Sequence, residues 1–324
     1  MRVVVWIPVD VYKDAVVPAI KDVDGAEIVV VDDPEKLGEA LDGADAIISS
    51  GASKYTAEVA KLLRETPSLR WFQTVAAGNE GFEAHGVPHD VVVTSSGGHS
   101  APVVAEHAMA LLLATAHCVP DFVRNVAARD WNRGFSPRFR SLFMKTAVVV
   151  GLGKIGLEIA KRAHAFDMRV IGVTRSGGPR EGVDASFAVA DIKTALAEAD
   201  AVLLAAPLNR ETQGVIGAAE FAAMKPGAFL VNIARGGLID QVALRQALVE
   251  GRLAGAALDV TTPEPLPADD PLWDAPNLIV SPHTGGGGSA ESPKRLAAAV
   301  RQNLEHFIAG KPLLHILPYG KHAA

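Results

Sequence analysis

The sequence has little of what marks several classes of protein. Its single cysteine, Cys118, excludes an intrachain disulfide, and the apolar run AMALLLATAHCV around it predicts a buried thiol rather than a reactive one. A net charge of -6 argues against a basic face for nucleic acid. No apolar run approaches the length of a membrane span, and Pro8 and Asp10 break the opening MRVVVWIPVD, so it does not resemble a signal peptide. These absences predict a cytoplasmic protein without nucleic-acid or membrane partners.

The pattern of apolar runs predicts two α/β domains. With 324 residues, 49% of them hydrophobic, the chain is too long for most single cores. Strands that alternate with helices form parallel sheets. We therefore expect two Rossmann-like or flavodoxin-like parallel-sheet domains separated by a cleft. The predicted strands form two series: 3–7, 27–31, 44–49, 70–75 and 91–95, then 146–151, 169–173, 201–206, 229–234, 254–260 and 277–281.

Two stretches mark the candidate boundaries between these domains. Residues 100–131 are largely helical in pattern, and the first helix is apolar on most faces, which predicts burial in the protein or at a subunit contact. Residues 284–289 read TGGGGS, and four consecutive glycines hold neither helix nor strand well. A hinge at each boundary would leave the cleft between the domains.

The most specific local motif is VVVGLGKIGLEIAKRA, in which an apolar strand enters a glycine-rich turn that opens a helix. Gly151 permits the tight turn, Gly153 lets the backbone approach a pyrophosphate, and Gly156 permits close packing of helix on strand. Amides at the start of the helix, at Lys154 and Ile155, would hold the phosphates. The motif predicts a dinucleotide site.

The next strand ends at GVTRSG, where a chain that binds NAD usually carries an acidic residue for the adenosine ribose. Thr174, Arg175 and Ser176 stand there instead, with Arg180 close behind. A guanidinium and a hydroxyl bind a 2′-phosphate, which a carboxylate would repel. We therefore predict a preference for NADP(H). The alternative is a solvated surface arginine with NAD(H) bound.

Polar residues follow three later strands of the same predicted sheet. VNIARGGLID presents Arg235, LDVTTPEP presents Asp259 and Glu264, and SPHTGG presents His283. An arginine can hold the carboxylate of a 2-oxo acid, a histidine can deliver a proton, and a carboxylate can fix its tautomer. Taken singly, Arg235 could cap a turn, Glu264 could be loop surface and His283 could bond a backbone carbonyl. Their common place after the phosphate loop favours catalysis.

In order along the chain, GLGKIG, AAPLNRETQGVI, VNIARGGLID, LDVTTPEP and SPHTGG resemble the D-isomer-specific 2-hydroxyacid dehydrogenase family, as does VAEHAMALLLA. The resemblance implies a substrate domain from 1–98 and 285–324 around a dinucleotide-binding domain at 99–284. It also implies a homodimer joined through the helix at 100–118. Substrate would meet loops near 50–54, 76–80 and 284–288.

The resemblance assigns roles to individual residues. Arg235 binds substrate, His283 is the acid/base, Glu264 pairs with it, and the amides near Ala77 and Gly78 take the substrate carboxylate. The predicted cofactor contacts are Gly151, Gly153, Lys154, Ile155, Gly156, Thr174, Arg175, Ser176, Arg180, Ala206, Pro207, Ile233, Ala234, Arg235, Asp259, His283 and Gly285. No metal site is expected, because no set of histidines and acids has suitable spacing.

The function expected from these features is NADP(H)-preferring reduction of glyoxylate, hydroxypyruvate or pyruvate-like 2-oxo acids to D-2-hydroxy acids. Three alternatives stay open at this point. The chain could be an NAD-dependent D-2-hydroxyacid dehydrogenase, a phosphite-type dehydrogenase, or a non-catalytic dinucleotide-sensing protein that resembles a corepressor.

Overall fold

A computed structural model describes residues 1–52 and 54–322, and the chain divides into two compact units. Unit 1 comprises Met1–Ser100 and Gly288–Ala324, and unit 2 comprises Ala101–Gly287. Residue 53, in the predicted substrate loop 50–54, and residues 323 and 324, at the end of the predicted substrate domain, lie outside the described residues.

The strands are β1 (Arg2–Val5), β2 (Glu27–Val30), β3 (Ala46–Ser49), β4 (Trp71–Thr74), β5 (Val92–Thr94), β6 (Thr146–Val150), β7 (Arg169–Thr174), β8 (Ala185–Ala188), β9 (Ala201–Leu204), β10 (Ala228–Asn232), β11 (Leu253–Leu258), β12 (Leu278–Val280) and β13 (Ile316–Gly320). The α-helices are α1 (Asp10–Ile20), α2 (Leu37–Ala40), α3 (Ala57–Arg64), α4 (Glu80–His85), α5 (Ala101–Ala116), α6 (Val119–Ala128), α7 (Lys154–Ala165), α8 (Ile192–Leu196), α9 (Ala218–Ala223), α10 (Gln241–Val249) and α11 (Glu291–Ile308). Short 3-10 turns lie at Pro34–Lys36, Ser136–Arg138, Val189–Asp191, Gly236–Leu238 and Pro271–Asp274.

Unit 1 is built on one sheet with the strand order β13-β5-β4-β3-β1-β2. The strands from β1 to β5 pair in parallel, as their alternation with helices predicts. In β1, Val3 and Val5 pack on one face with α1 and α11, whereas Val4 packs on the other face with α2 and α3. Both faces are covered, which explains why β1 reads as an unbroken apolar run.

Unit 2 is built on a parallel sheet with the order β12-β11-β10-β9-β6-β7-β8. The prediction of two parallel-sheet α/β units is confirmed, although it missed two edge strands. Strand β8 extends unit 2 in parallel, and β13 adds an antiparallel edge to unit 1 beside β5. Both are short, and β13 contains Pro318, which an edge strand tolerates because one side of it needs no partner.

The predicted helical stretch 100–131 contains two helices that differ in burial. Helix α5 packs within unit 2 against α7, β10 and β11, and its buried residues include Ala105, Ala108 and Leu112. Cys118 takes a left-handed conformation with φ 54°, which ends this run and starts α6. Its thiol is buried as predicted, and burial raises the pKa of that thiol. Helix α6 has no buried residue.

No single helix in the described residues is long and apolar enough to cross a bilayer, but the pair α5 and α6, bent by 64°, passes that test together by length and composition.

Candidate active site

The glycine-rich turn follows β6, a central strand of the unit 2 sheet. Gly151 has φ 96°, and a Cβ added there would lie 2.6 Å from backbone atoms of Ala206. A Cβ on Gly156 would lie 1.9 Å from the carbonyl oxygen of Gly151, so both positions require glycine. Gly153 differs, because an added Cβ would meet no described atom within 4 Å. Helix α7 begins directly after it at Lys154 and continues through Ile155. The turn therefore has open space in front of a helix N-terminus, as a pyrophosphate needs.

Beside it, β7 ends at Thr174, whose Oγ1 accepts a hydrogen bond of 3.0 Å from the amide of Gly177 and so shapes the turn. Arg175, Ser176 and Arg180 are exposed on this turn, and no acidic residue occurs from 172 to 180. The Arg175 Nε lies 3.1 Å from Oε2 of Glu211, a residue of the loop after β9. Sequence reasoning missed Glu211, because nothing in its local pattern shows which strand end it faces.

Strand β10 carries the arginine turn. Asn232, the last residue of β10, is fully buried, donates from Nδ2 to the carbonyl of Arg235 at 2.8 Å and accepts from the amide of Ala234 at 3.0 Å. The Arg235 guanidinium is partly buried and donates to the carbonyl of Ala234 at 2.6 Å. A Cβ on Gly236 would lie 2.1 Å from the backbone of Thr261, so this turn packs closely on the loop after β11. Asn232 thus fixes the backbone from which Arg235 projects.

Asp259 follows β11 and organises the neighbouring loop. It is 2% exposed, and its Oδ1 accepts from the Ser281 hydroxyl at 2.7 Å and from the Thr284 amide at 2.9 Å. Its Oδ2 accepts from the Gly285 amide at 2.9 Å, and its carbonyl accepts from the His283 amide at 2.8 Å. One buried side chain therefore holds the loop that carries His283.

His107 of α5 extends this network across a long separation in sequence. Its Nε2 lies 3.1 Å from Ser281 Oγ and 3.3 Å from Asp259 Oδ1. Because the Ser281 hydroxyl donates to Asp259, the Nε2 of His107 carries a proton and donates to Ser281. No local motif in the sequence signals this contact.

His283 and Glu264 are brought together at this edge. The Nδ1 of His283 lies 2.5 Å from Oε1 of Glu264, and the two side chains are 49% and 39% exposed. His283 has φ 52°, a conformation that its backbone bond to Asp259 supports. Nε2, on the far side of the ring from Glu264, is the nitrogen that can exchange a proton with a ligand.

The remaining predicted contacts lie beside these groups or in the other unit. Ala206 and Pro207 follow β9, and Ile233 and Ala234 follow β10, at the same edge as the glycine turn. Ala77 and Gly78 lie after β4 in unit 1, where Thr74 Oγ1 accepts from the amides of Ala76 at 3.2 Å and Gly51 at 3.0 Å. Contact between these two residues and the groups of unit 2 stays a prediction. The described part of the chain contains no group of three or more residues arranged to hold a metal ion.

Comparison with known proteins identifies the family. The family model described as D-isomer specific 2-hydroxyacid dehydrogenase, NAD binding domain, matches residues 109–285. Glyoxylate/hydroxypyruvate reductase B from Pectobacterium carotovorum is 35% identical over 280 residues, which cover 84% of this chain and 85% of the relative.

Two solved structures are similar over almost the whole chain. A D-isomer specific 2-hydroxyacid dehydrogenase family protein from Aeromonas salmonicida has a TM-score of 0.82 and 30% identity, with 98% of both chains covered. A D-isomer specific 2-hydroxyacid dehydrogenase from Xanthobacter autotrophicus, in complex with NADPH and MES, has a TM-score of 0.81 and 26% identity, with 98% of this chain and 97% of the other covered. The chain therefore belongs to the D-isomer specific 2-hydroxyacid dehydrogenases, a family of NAD(P)-dependent oxidoreductases.

Proposed function

We propose that the protein reduces small 2-oxo acids, such as glyoxylate, hydroxypyruvate and pyruvate, to D-2-hydroxy acids and prefers NADP(H) over NAD(H). The observation that carries this proposal is the 2.5 Å contact of His283 with Glu264 at the sheet edge that also carries the glycine turn. Unit 2 is proposed to bind the dinucleotide, and unit 1 to supply part of the substrate site.

The proton is delivered by His283. A bound reduced nicotinamide supplies the hydride for C2 of the substrate, which leaves negative charge on the carbonyl oxygen. The Nε2 of a protonated His283 gives its proton to that oxygen, and the alcohol forms. Glu264 accepts the bond from Nδ1, which fixes the orientation of the ring and leaves Nε2 for the substrate. In the oxidative direction, the neutral ring takes the proton back.

Substrate orientation is proposed to depend on Arg235 and on the loop after β4. A guanidinium can bind the substrate carboxylate in a bidentate manner and polarise the carbonyl. The amides near Ala77 and Gly78 are proposed to bind the same carboxylate from unit 1. The carboxylate of Asp259 already accepts several hydrogen bonds from the loop that carries His283, so we assign it chiefly to holding that loop. Its contact with the cofactor is proposed as a second role.

The preference for NADP(H) is supported by the turn after β7. Arg175, Ser176 and Arg180 are exposed there without an acidic residue from 172 to 180, so the turn itself offers hydrogen-bond donors to a 2′-phosphate. The similar protein from Xanthobacter autotrophicus binds NADPH.

The test is turnover of glyoxylate, hydroxypyruvate, pyruvate and phenylpyruvate with NADPH and with NADH. We expect reduction of at least one acid and a higher kcat/KM with NADPH. Inactivity with all four, or turnover of phosphite with NAD instead, would contradict the proposal. If a His283→Ala protein without turnover still bound a protein partner in a dinucleotide-dependent manner, a sensing role would replace it.

A substitution of Arg175 tests the cofactor preference separately. Arg175→Asp should raise the Kd for NADPH at least about tenfold, because a guanidinium that would bind the 2′-phosphate is replaced by a carboxylate that repels it. The Kd for NADH should change less than about twofold. Arg64→Asp makes the same charge change on α3 of unit 1 and serves as the matched control. Equal losses for both cofactors would disprove the role of Arg175.

A homodimer is proposed to form through α6 and the segment after it rather than through α5, whose apolar residues pack within unit 2. Val123 is 64% exposed, Val126 78% and Trp131 94%. Phe122, Val126, Trp131 and Phe135 line a surface groove of about 600 Å³. Contiguous exposed apolar surface of this kind favours association. Val126→Glu with Trp131→Glu should yield a monomer in analytical ultracentrifugation, and an unchanged mass would contradict this interface.

A further inference from the structure

An ion pair connects the two loops on either side of the strand that leads into the phosphate loop. In the sheet of unit 2, β6 lies between β7 and β9. Arg175 follows β7, Glu211 belongs to the loop after β9, and their side chains meet at 3.1 Å. The pair therefore joins the two flanking strand ends at the edge where Gly151–Gly156 would receive the cofactor.

The loop that carries Glu211 is held by its own turn. The side chain of Asn209 accepts from the amides of Glu211 at 2.9 Å and Thr212 at 3.0 Å. The Thr212 hydroxyl donates to the carbonyl of Pro207 at 2.6 Å and accepts from the amide of Asn209 at 2.9 Å. These bonds fix the backbone from which the Glu211 side chain reaches Arg175, and the two side chains are 60% and 78% exposed.

This placement has a consequence for cofactor choice. The guanidinium that would bind a 2′-phosphate contacts a carboxylate in this structure. A phosphate that arrives at Arg175 must compete with Glu211, and both carry negative charge. The 2′-hydroxyl of NADH is neutral and meets no such repulsion.

We propose that Glu211 is a specificity-determining residue, which pairs with Arg175 in the free protein and weakens binding of the 2′-phosphorylated cofactor. The inference rests on the proposed use of Arg175 for the 2′-phosphate. Glu211 therefore moderates the preference that Arg175 creates, and its neutral variant discriminates between the two cofactors more strongly than the natural protein.

The experiment measures the Kd values of NADPH and NADH for wild type and Glu211→Gln by fluorescence titration. Adenosine 2′-monophosphate and adenosine 5′-monophosphate, as competitive inhibitors, isolate the contribution of the 2′-phosphate. We expect Glu211→Gln to bind NADPH and adenosine 2′-monophosphate about fivefold more tightly, with less than about twofold change for NADH and adenosine 5′-monophosphate. Glu250→Gln is the matched control, since it removes the same charge at the end of α10, just before the amino end of β11.

The outcomes separate this inference from the proposed function. If Arg175→Asp weakens NADPH selectively but Glu211→Gln leaves the NADPH to NADH ratio within twofold of wild type, the role of Glu211 is overturned and the NADP(H) preference stands. If Arg175→Asp weakens both cofactors equally, the preference fails and the role of Glu211 fails with it. If Glu250→Gln changed the NADPH to NADH ratio by the same factor as Glu211→Gln, the effect would be one of general charge, and the inference would also be overturned.

Discussion

The first strands of the two units have similar positions in their sheets, but the turns that follow these strands differ. In unit 1 the first strand, β1, lies between the second and the third, β2 and β3, and in unit 2 the first strand, β6, lies between the second and the fourth, β7 and β9. Such a reversal opens a crevice at the carboxyl end of the strands. In unit 1 the turn after β1 reads WIPV and contains no glycine, whereas in unit 2 it reads GLG. Topology therefore provides the crevice in both units, and glycine decides whether a phosphate can approach the backbone.

The polar residues at the carboxyl ends of the strands also differ between the two units. In unit 1, Gln73 and Thr94 are fully buried, Thr94 donates to Gln73 at 2.9 Å, and Asn303 of α11 donates to Gln73 at 2.9 Å. In unit 2, His283 and Glu264 pair at the edge while half-exposed. Buried, satisfied, uncharged groups stabilise a fold, whereas an accessible titratable pair can exchange protons.

Two substitutions test this difference between an accessible pair and buried groups. His283→Asn removes the proposed proton donor, so kcat should fall about a thousandfold with little change in the Kd for NADPH or in Tm. Asn303→Leu in unit 1 should instead lower the free energy of unfolding by about 2 to 3 kcal/mol, because buried partners lose their bonds. Steady-state kinetics and denaturation of both variants provide the measurement. A His283→Asn protein that keeps a tenth or more of kcat would contradict the proposed role.

A pair of glycine variants separates two roles of glycine in the turn after β6. Gly156→Ala places a Cβ 1.9 Å from a carbonyl oxygen, so it should destabilise unit 2 by about 3 kcal/mol or more. Gly153→Ala enters open space and should change stability by less than about 1 kcal/mol. It should nevertheless raise the Kd for NADPH at least about tenfold, since its Cβ occupies the space proposed for the pyrophosphate. Denaturation and cofactor titration measure the two effects, and normal cofactor affinity in Gly153→Ala would exclude that approach to the backbone.

The sequence was sufficient for features that depend on local pattern. Apolar runs that alternate with helices predicted both parallel sheets, and the glycine spacing predicted a turn whose first and third positions exclude a Cβ. The pattern could not predict β13, because a proline-containing strand is stabilised by its pairing with β5 rather than by its own residues. Nor could it predict the bonds of His107 to Ser281, since 174 residues separate them and only the packing of α5 in unit 2 brings them together.

A further expected effect belongs to unit 1 and concerns acid stability. His99 is 4% exposed, its Nδ1 lies 2.7 Å from Ser96 Oγ, and its ring meets Tyr12 edge-on. Burial, with a smaller contribution from the charge of Arg295, lowers the pKa of His99 from 6.5 to about 4. The unfolded chain therefore takes up a proton as the pH falls below about 6.5, while the folded protein does so only near pH 4. As the pH falls through this window, the free energy of unfolding should decrease by about 3 kcal/mol. Below the window, protonation of His99 should lower it no further.

His99→Gln removes that titration, so its free energy of unfolding should depend less on pH between 6.5 and 4 than that of wild type. The measurement is urea denaturation at several pH values in a background with Trp131→Phe and Trp273→Phe, which leaves Trp6 and Trp71 of unit 1 as the fluorescent reporters. His85→Gln, at the exposed end of α4, is the matched control. An equal pH slope in His99→Gln and wild type would mean that His99 is protonated as readily in the folded protein as in the unfolded chain. Burial in unit 1 would then not hinder protonation of His99, and the contrast with the accessible pair of unit 2 would be smaller than burial implies.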